Sequence, residues 1–357
     1  MLGTRLTGDE HDQGERALLY MTISRTTPAN TKLVICVWHP FTFWRPQPIV
    51  AETLRRRWPE MRVLHLPDYD HLPQELPDTD IFVGYSLRPH QLKLAKKLKW
   101  LHSTAAGVAQ LMYPELRDSG IVVTNPSGIF SVPMAEHTMG LLVALARNFP
   151  DSVRHQDHYH WGQQDLWDKP QRLTELNGQL LLIVGYGSIG RELARRAHAF
   201  DIRVWGVTRS GKGDATYAEK IVPVAQLDEV LPQADYVVVA APETPETAQL
   251  MNATRISKMK PGARLVNVAR GSLLDEQALI RALESAALAG AALDVTENEP
   301  LPPESPLWSA PNLFITPHTS GVSERLWIRQ ADILVQLLER WFDGRDLFNQ
   351  VDFTRGY

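Results

Sequence analysis

The chain has 357 residues, 44% of them hydrophobic and 22% charged. That balance excludes wholesale disorder and, at roughly 100–200 residues per domain, implies two or three domains. A formal net charge of −4, from 37 Lys and Arg against 41 Asp and Glu, argues against a nucleic-acid binder, which would present a basic surface. The single cysteine, Cys36, excludes an intrachain disulfide and a cysteine-based zinc site, and it suits a reducing cytoplasm.

Residues 1–31 are polar and read as an N-terminal extension without the apolar core of a signal peptide, and Met21 offers a second start. From Lys32 onward, short runs rich in β-branched and aromatic residues (32–38, 62–66, 81–86, 99–104 and 121–125) have the length of buried strands. Helical stretches between them point to parallel βα units. The apolar segment 132–149 is interrupted by Glu136, His137 and Arg147, so it predicts a buried helix rather than a membrane span. A polar, Trp-rich connector covers 151–178. A second strand series follows at 180–185, 203–208, 236–241, 264–269, 291–295 and 313–317, alternating with helical patterns at 191–200 and 276–286. Residues 324–342 close the chain as a strongly amphipathic helix. The fold class is α/β, with two doubly wound parallel-sheet domains.

The segment LLLIVGYGSIGRELARRAHAF places Gly185-x-Gly187-x-x-Gly190 between a strand and a helix. Gly185 permits the tight turn, Gly187 lets a pyrophosphate approach the backbone, and Gly190 allows close helix–strand packing. The helix that opens at Ser188 and Ile189 offers amides and a positive dipole end to phosphates. These residues predict a dinucleotide site. In NAD proteins an acidic residue follows the motif by about 20 positions and holds the ribose 2′-hydroxyl. Here that place, 19 residues after Gly190, holds Arg209, followed by Ser210 and Lys212. Arg209 and Ser210 suit a 2′-phosphate, so NADP(H) is the preferred cofactor and NAD(H) a usable one.

Three later strands end in Asn267–Gly271, Asp294–Pro300 and Thr316–His318. In open α/β sheets such ends converge on one mouth. Arg270 can grip a carboxylate bidentately, His318 can exchange a proton near neutral pH, and Glu299 can orient and charge that histidine. Together they suit reduction of a 2-oxo acid.

At these residues the chain resembles the D-isomer-specific 2-hydroxyacid dehydrogenases, a family that includes glyoxylate/hydroxypyruvate reductases. The likeness runs from about Lys32 to Asp352 through STAAGVAQL, VTNPSGIFSVPMAEHTMGLLVALAR, IVGYGSIGRELARRAHAF, MKPGARLVNVARGSLLDEQAL, GAALDVTENEPLPPESPLW and NLFITPHTSG. The resemblance implies Arg270, Glu299 and His318 as catalytic residues, Ala106 and Gly107 as a backbone loop gripping the substrate carboxylate, and Asp294 as partner of the nicotinamide amide. It implies no metal. It implies a flavodoxin-like substrate domain of residues 32–130 completed by the C-terminal segment 319–352, and a Rossmann cofactor domain of residues 131–318, with the active site in a hinged interdomain cleft. A formate dehydrogenase would carry Gln in place of Glu299, and a D-lactate dehydrogenase an aromatic-rich segment in place of TENEPLP. The segment Tyr85-Ser86-Leu87-Arg88 is unusual and leaves the substrate unnamed.

The implied protein is a cytoplasmic NAD(P)-dependent oxidoreductase and a homodimer, with aromatic surface in the 132–178 region available for the contact. The alternative is a non-catalytic dinucleotide-sensing, corepressor-like protein on the same fold. A short-chain reductase is excluded for want of a Tyr-x-x-x-Lys arrangement. The spacing of His155, His158 and His160 fits no zinc signature, and Cys36 reads as a core residue.

Overall fold

The central strands of this chain are mostly apolar and buried along their length because both faces of each sheet are covered. The computed structural model describes residues 27–171 and 173–356; the proposed extension falls outside them up to residue 26. Two all-parallel sheets emerge. The smaller contains β1 (Lys32–Cys36), β2 (Arg62–Leu66), β3 (Ile81–Gly84), β4 (Trp100–Ser103) and β5 (Val122–Thr124), in the order β2-β1-β3-β4-β5. This is the flavodoxin-like order. The larger contains β6 (Leu180–Val184), β7 (Arg203–Thr208), β8 (Lys220–Pro223), β9 (Tyr236–Val239), β10 (Arg264–Asn267), β11 (Gly290–Leu293) and β12 (Leu313–Ile315). Its order β12-β11-β10-β9-β6-β7-β8 is the doubly wound nucleotide-binding order with one added strand.

Alternation along each strand divides the core of the larger sheet. Leu182, Val184, Val237, Val239, Leu265 and Leu293 face one hydrophobic cluster. Leu181, Ile183, Tyr236, Val238, Val266 and Ala292 face the other. The second cluster is closed by helix α1 (Ser131–Ala146), whose Ala135, Met139, Leu142 and Leu145 pack into it. That helix is apolar nearly all round because it is buried nearly all round. Among the described residues no helix is long and apolar enough to cross a membrane.

The chain divides into two compact units. One takes the residues up to Pro126 together with Trp327–Val351, the other Ser127–Leu326 with the residues after Val351. The crossings fall at 126/127 and 326/327, not at 130/131 and 318/319. Residues 319–326 stay with the larger sheet in part because the Asp294 carboxylate accepts from the Thr319 and Ser320 amides. The closing helix, Leu326–Phe342, belongs with the smaller sheet: Trp327 Nε1 donates to Phe43 O (2.8 Å), Gln330 Nε2 meets His102 Nε2 (2.8 Å), and the Trp100 and Trp341 rings lie 5.5 Å apart.

Most strands end one or two residues before the apolar runs do, while β2 and β7 run to their ends. β8 was not anticipated: it is four residues long and only Val222 is fully buried. The connector holds two helices, Phe149–Asp157 and Gln163–Asp168. Asn148, left-handed at φ 50°, stops α1, and Pro150 opens the next helix at a position where its missing N–H costs nothing. Cys36 is buried, its thiol donating to Asp68 O (3.1 Å); burial foremost pushes its pKa up to about 12, which makes it inert.

Candidate active site

β6 ends in a glycine turn that leads into α2 (Ser188–His198). Gly185 sits at φ 101°, and a Cβ there would lie 2.4 Å from Ala241 N. A Cβ on Gly190 would lie 2.8 Å from Gly185 O. Internal packing therefore demands both glycines. Gly187 differs: a Cβ there would meet nothing within 4 Å. Its glycine avoids no clash within the protein, and what it leaves is bare backbone open to approach from outside. The first-turn amides of Ser188, Ile189 and Gly190 project at the same end with no side-chain cap. The turn thus fits a pyrophosphate.

Beyond β7, Arg209 and Ser210 lie exposed. Ser210 Oγ accepts weakly from Lys212 N (3.4 Å), and Thr208 Oγ1 donates to Lys212 O (3.1 Å), which folds the loop on itself. Arg209 also lies near Glu246. That carboxyl is held below its ordinary range by its own backbone amide, by Thr244 and by the Arg209 charge.

The three polar strand ends are braced differently. Asn267, fully buried, donates from Nδ2 to Arg270 O (2.9 Å) and accepts from Ala269 N (3.0 Å), which fixes the turn carrying Arg270. The Arg270 guanidinium donates to Ala269 O (2.7 Å). A Cβ on Gly271 would lie 2.0 Å from the carbonyl carbon of Thr296, so glycine lets the Arg270 turn press backbone to backbone against the turn carrying Glu299. Glu299 Oε1 accepts from Thr296 N (3.1 Å), and Oε2 pairs with His318 Nδ1 at 2.6 Å. His318 is left-handed at φ 52°, an uncommon conformation for a residue with a side chain, and its amide donates to Asp294 O (2.8 Å). The His318–Glu299 pair can hold a proton at a defined atom: with Nδ1 engaged, Nε2 is the nitrogen left to exchange it.

Asp294, expected from the resemblance to meet the nicotinamide amide, lies against the turn that carries His318. Its carboxylate is fully enclosed, accepting from Thr316 Oγ1 (2.6 Å), Thr319 N (2.9 Å) and Ser320 N (2.9 Å). Burial opposes its charge, and these donors outweigh burial to hold the pKa below the ordinary value. The observed work of Asp294 is to close the turn that carries His318. His137, read from sequence only as an interruption of α1, joins this network. Its Nε2 lies 3.0 Å from Thr316 Oγ1 and 3.6 Å from Asp294 Oδ1. Burial foremost lowers its pKa, partly offset by Asp294. The signal was present: a histidine in a nearly all-apolar helix needs a polar partner.

In the other unit, the loop after β4 is held by Asn125 Nδ2 donating to Ala106 O (2.9 Å) and Gln110 Nε2 donating to Gly107 O (3.3 Å). Among the described residues the Ala106 and Gly107 amides donate to no protein acceptor. Such a pair of free donors suits an anion. Among the described residues no three His, Cys, Asp or Glu side chains gather as a metal site. His158 Nδ1 meets Arg154 O (2.7 Å), and His160 pairs with Asp165 (2.5 Å).

Residues 139–320 match the family model of the D-isomer specific 2-hydroxyacid dehydrogenase NAD-binding domain. A glyoxylate reductase of Thermofilum pendens is 35% identical over 68% of this chain and 72% of its own length. The crystal structure of a D-isomer specific 2-hydroxyacid dehydrogenase family protein from Aeromonas salmonicida is 34% identical, with a TM-score of 0.76 over 91% of this chain and 99% of its own. A D-isomer specific 2-hydroxyacid dehydrogenase from Xanthobacter autotrophicus, solved with NADPH and MES, is 28% identical with a TM-score of 0.78 over 92% and 100%. With both sheets in their expected order and His318 paired with Glu299, the chain belongs to the D-isomer specific 2-hydroxyacid dehydrogenase family and is an NAD(P)-dependent oxidoreductase.

Proposed function

We propose that the enzyme reduces a small 2-oxo acid to the D-2-hydroxy acid, with glyoxylate and hydroxypyruvate as first candidates and NADPH as the preferred donor. The observation that carries this reading is the 2.6 Å pair between His318 Nδ1 and Glu299 Oε2 on a left-handed turn. When bound, the reduced nicotinamide supplies the hydride that the carbonyl carbon accepts. The carbonyl oxygen gains the proton from His318 Nε2, and Glu299 orients the ring and balances its charge. Arg270 grips the substrate carboxylate and polarises the carbonyl, and in the other unit the free amides of Ala106 and Gly107 suit a carboxylate. Asp294, His137 and Thr316 act through the turn beneath His318.

The glycine turn and the amides of Ser188, Ile189 and Gly190 receive the pyrophosphate. Arg209 and Ser210 receive the 2′-phosphate, a reading supported by the NADPH in the Xanthobacter autotrophicus relative. NADH remains usable because the glycine turn serves both cofactors. The protein works as a homodimer, a second copy covering the exposed Tyr159 and Trp161 of the connector. A monomer mass in light scattering at micromolar concentration overturns that part. The function itself is tested by NADPH oxidation with glyoxylate, hydroxypyruvate, pyruvate and longer 2-oxo acids. Tight cofactor binding without turnover of any of them would leave the sensing alternative in its place.

A further inference from the structure

The proposed chemistry leaves the rim of the smaller sheet unexplained. In parallel sheets ligands collect beyond the carboxyl ends of the strands. Trp38 stands beyond β1, Tyr69 beyond β2, Tyr85 and Arg88 beyond β3, and the Ala106–Gly107 loop beyond β4; these four strands are neighbours in the order β2-β1-β3-β4. Trp38 and Tyr85 leave 47% and 48% of their surface exposed, a large apolar area to hold in water. The Tyr85 loop is tied directly to the Gly107 loop. Gln110 Nε2 donates both to Tyr85 O (2.9 Å) and to Gly107 O (3.3 Å), and the Tyr113 hydroxyl donates to Leu87 O. The Tyr69 hydroxyl meets the Trp38 backbone and lies in electrostatic range of Arg88 and Tyr85. Among the described residues no acid forms an ion pair with the Arg88 guanidinium. Two exposed aromatic side chains and a cation thus share the strand-end rim that carries the amides proposed to hold the substrate carboxylate, the Trp38 ring already stacked by the Arg45 guanidinium at 5.2 Å.

We infer that this rim selects 2-oxo acids with an aromatic side chain over glyoxylate. The inference rests on the proposed reaction, which brings the substrate carboxylate to Ala106 and Gly107, and it re-ranks the candidates named there: glyoxylate is turned over but not preferred. Glyoxylate carries only hydrogen where the side chain of a longer 2-oxo acid begins, so it covers none of this rim. A phenyl ring buries apolar surface against Tyr85 and presents its face to Arg88. A single methylene in an apolar pocket changes kcat/KM by roughly 10–200-fold, and a ring offers more surface than that.

Steady-state kcat/KM for phenylpyruvate and for glyoxylate, measured with one cofactor, tests the inference. The expected ratio of phenylpyruvate to glyoxylate is at least about tenfold in the parent enzyme. Tyr85→Ala lowers that ratio by about tenfold, and Tyr85→Phe, which keeps the ring, retains it. A parent ratio at or below one, or a ratio unmoved by Tyr85→Ala, overturns the inference while glyoxylate turnover leaves the proposed function standing. No turnover of any 2-oxo acid overturns both.

Discussion

At the carboxyl edge of the larger sheet the polar groups are side chains: Arg270, Glu299 and His318, each on a turn locked by a neighbour. Asn267 locks the first, Gly271 seats it against the second, and Asp294 locks the third. At the same edge of the smaller sheet, among the described residues, the backbone amides of Ala106 and Gly107 donate to no protein acceptor, and Arg88 and exposed aromatic side chains share the rim. One edge can move a proton and hold a charge. The other can only bind. Substitutions at the first edge should therefore lower kcat, while changes at the second should act through substrate preference.

The largest expected effect follows from removing the proposed proton donor. His318→Ala should lower turnover by about 10²–10⁴-fold, the usual worth of general acid–base catalysis. Near-normal turnover in that variant would erase the distinction between the two edges. Arg270→Lys keeps the charge and loses the bidentate fork. KM should rise and kcat fall together, and unchanged kinetics would remove Arg270 from the carboxylate.

The same contrast explains what was legible beforehand. Arg270, Glu299 and His318 stand in fixed motifs at strand ends, so residue identity and spacing pointed to them. The Ala106 and Gly107 amides carry no signature in residue type; only the family resemblance singled them out. Periodicity recognised the closing helix, because Leu334, Leu337 and Leu338 line one buried face, but it cannot say which sheet that face meets. The 2.8 Å contact between Gln330 and His102 does. The bonds Asp294 makes to Thr316, Thr319 and Ser320 were not legible, since a carboxylate closing its own turn looks the same in sequence as one meeting a ligand.

A smaller effect is expected at Arg209, which extends the side-chain logic to the cofactor. One charge-assisted hydrogen bond contributes about 1.5–3 kcal/mol, or roughly 10–150-fold in affinity. Glu246 lies within electrostatic range of Arg209 and offsets part of its charge, which would weaken the proposed NADPH preference. Arg209→Asp should reverse the ranking, and Glu246→Gln should widen it in favour of NADPH. Equal kcat/KM for NADH and NADPH, unmoved by either substitution, would show that Arg209 does not meet the phosphate.

The smallest effect concerns stability and separates the two units by acid. His102, wholly buried under the closing helix, meets Thr124 Oγ1 through Nδ1 and Gln330 through Nε2, both at 2.8 Å. Since Gln330 Nε2 donates, His102 Nε2 accepts and Nδ1 carries the proton, so the ring is neutral. Burial lowers its pKa from 6.5 to about 3. Between these two values the unfolded chain binds a proton that the folded chain refuses. Stability therefore falls as pH drops below the unfolded value, by at most about 1.4 kcal/mol per unit, and is unaffected well above it. His137 in the other unit is lowered in the same direction, but it is less buried and Asp294 offsets part of its shift. The smaller-sheet unit should thus lose stability first as pH falls from 7 to 5. Replacing His102 by Gln should flatten the dependence of the urea midpoint on pH over that range more than replacing His137 by Gln does. An equal slope in the parent and the His102→Gln protein would show that the ring is protonated in the fold and that the contact with Gln330 is not the one described.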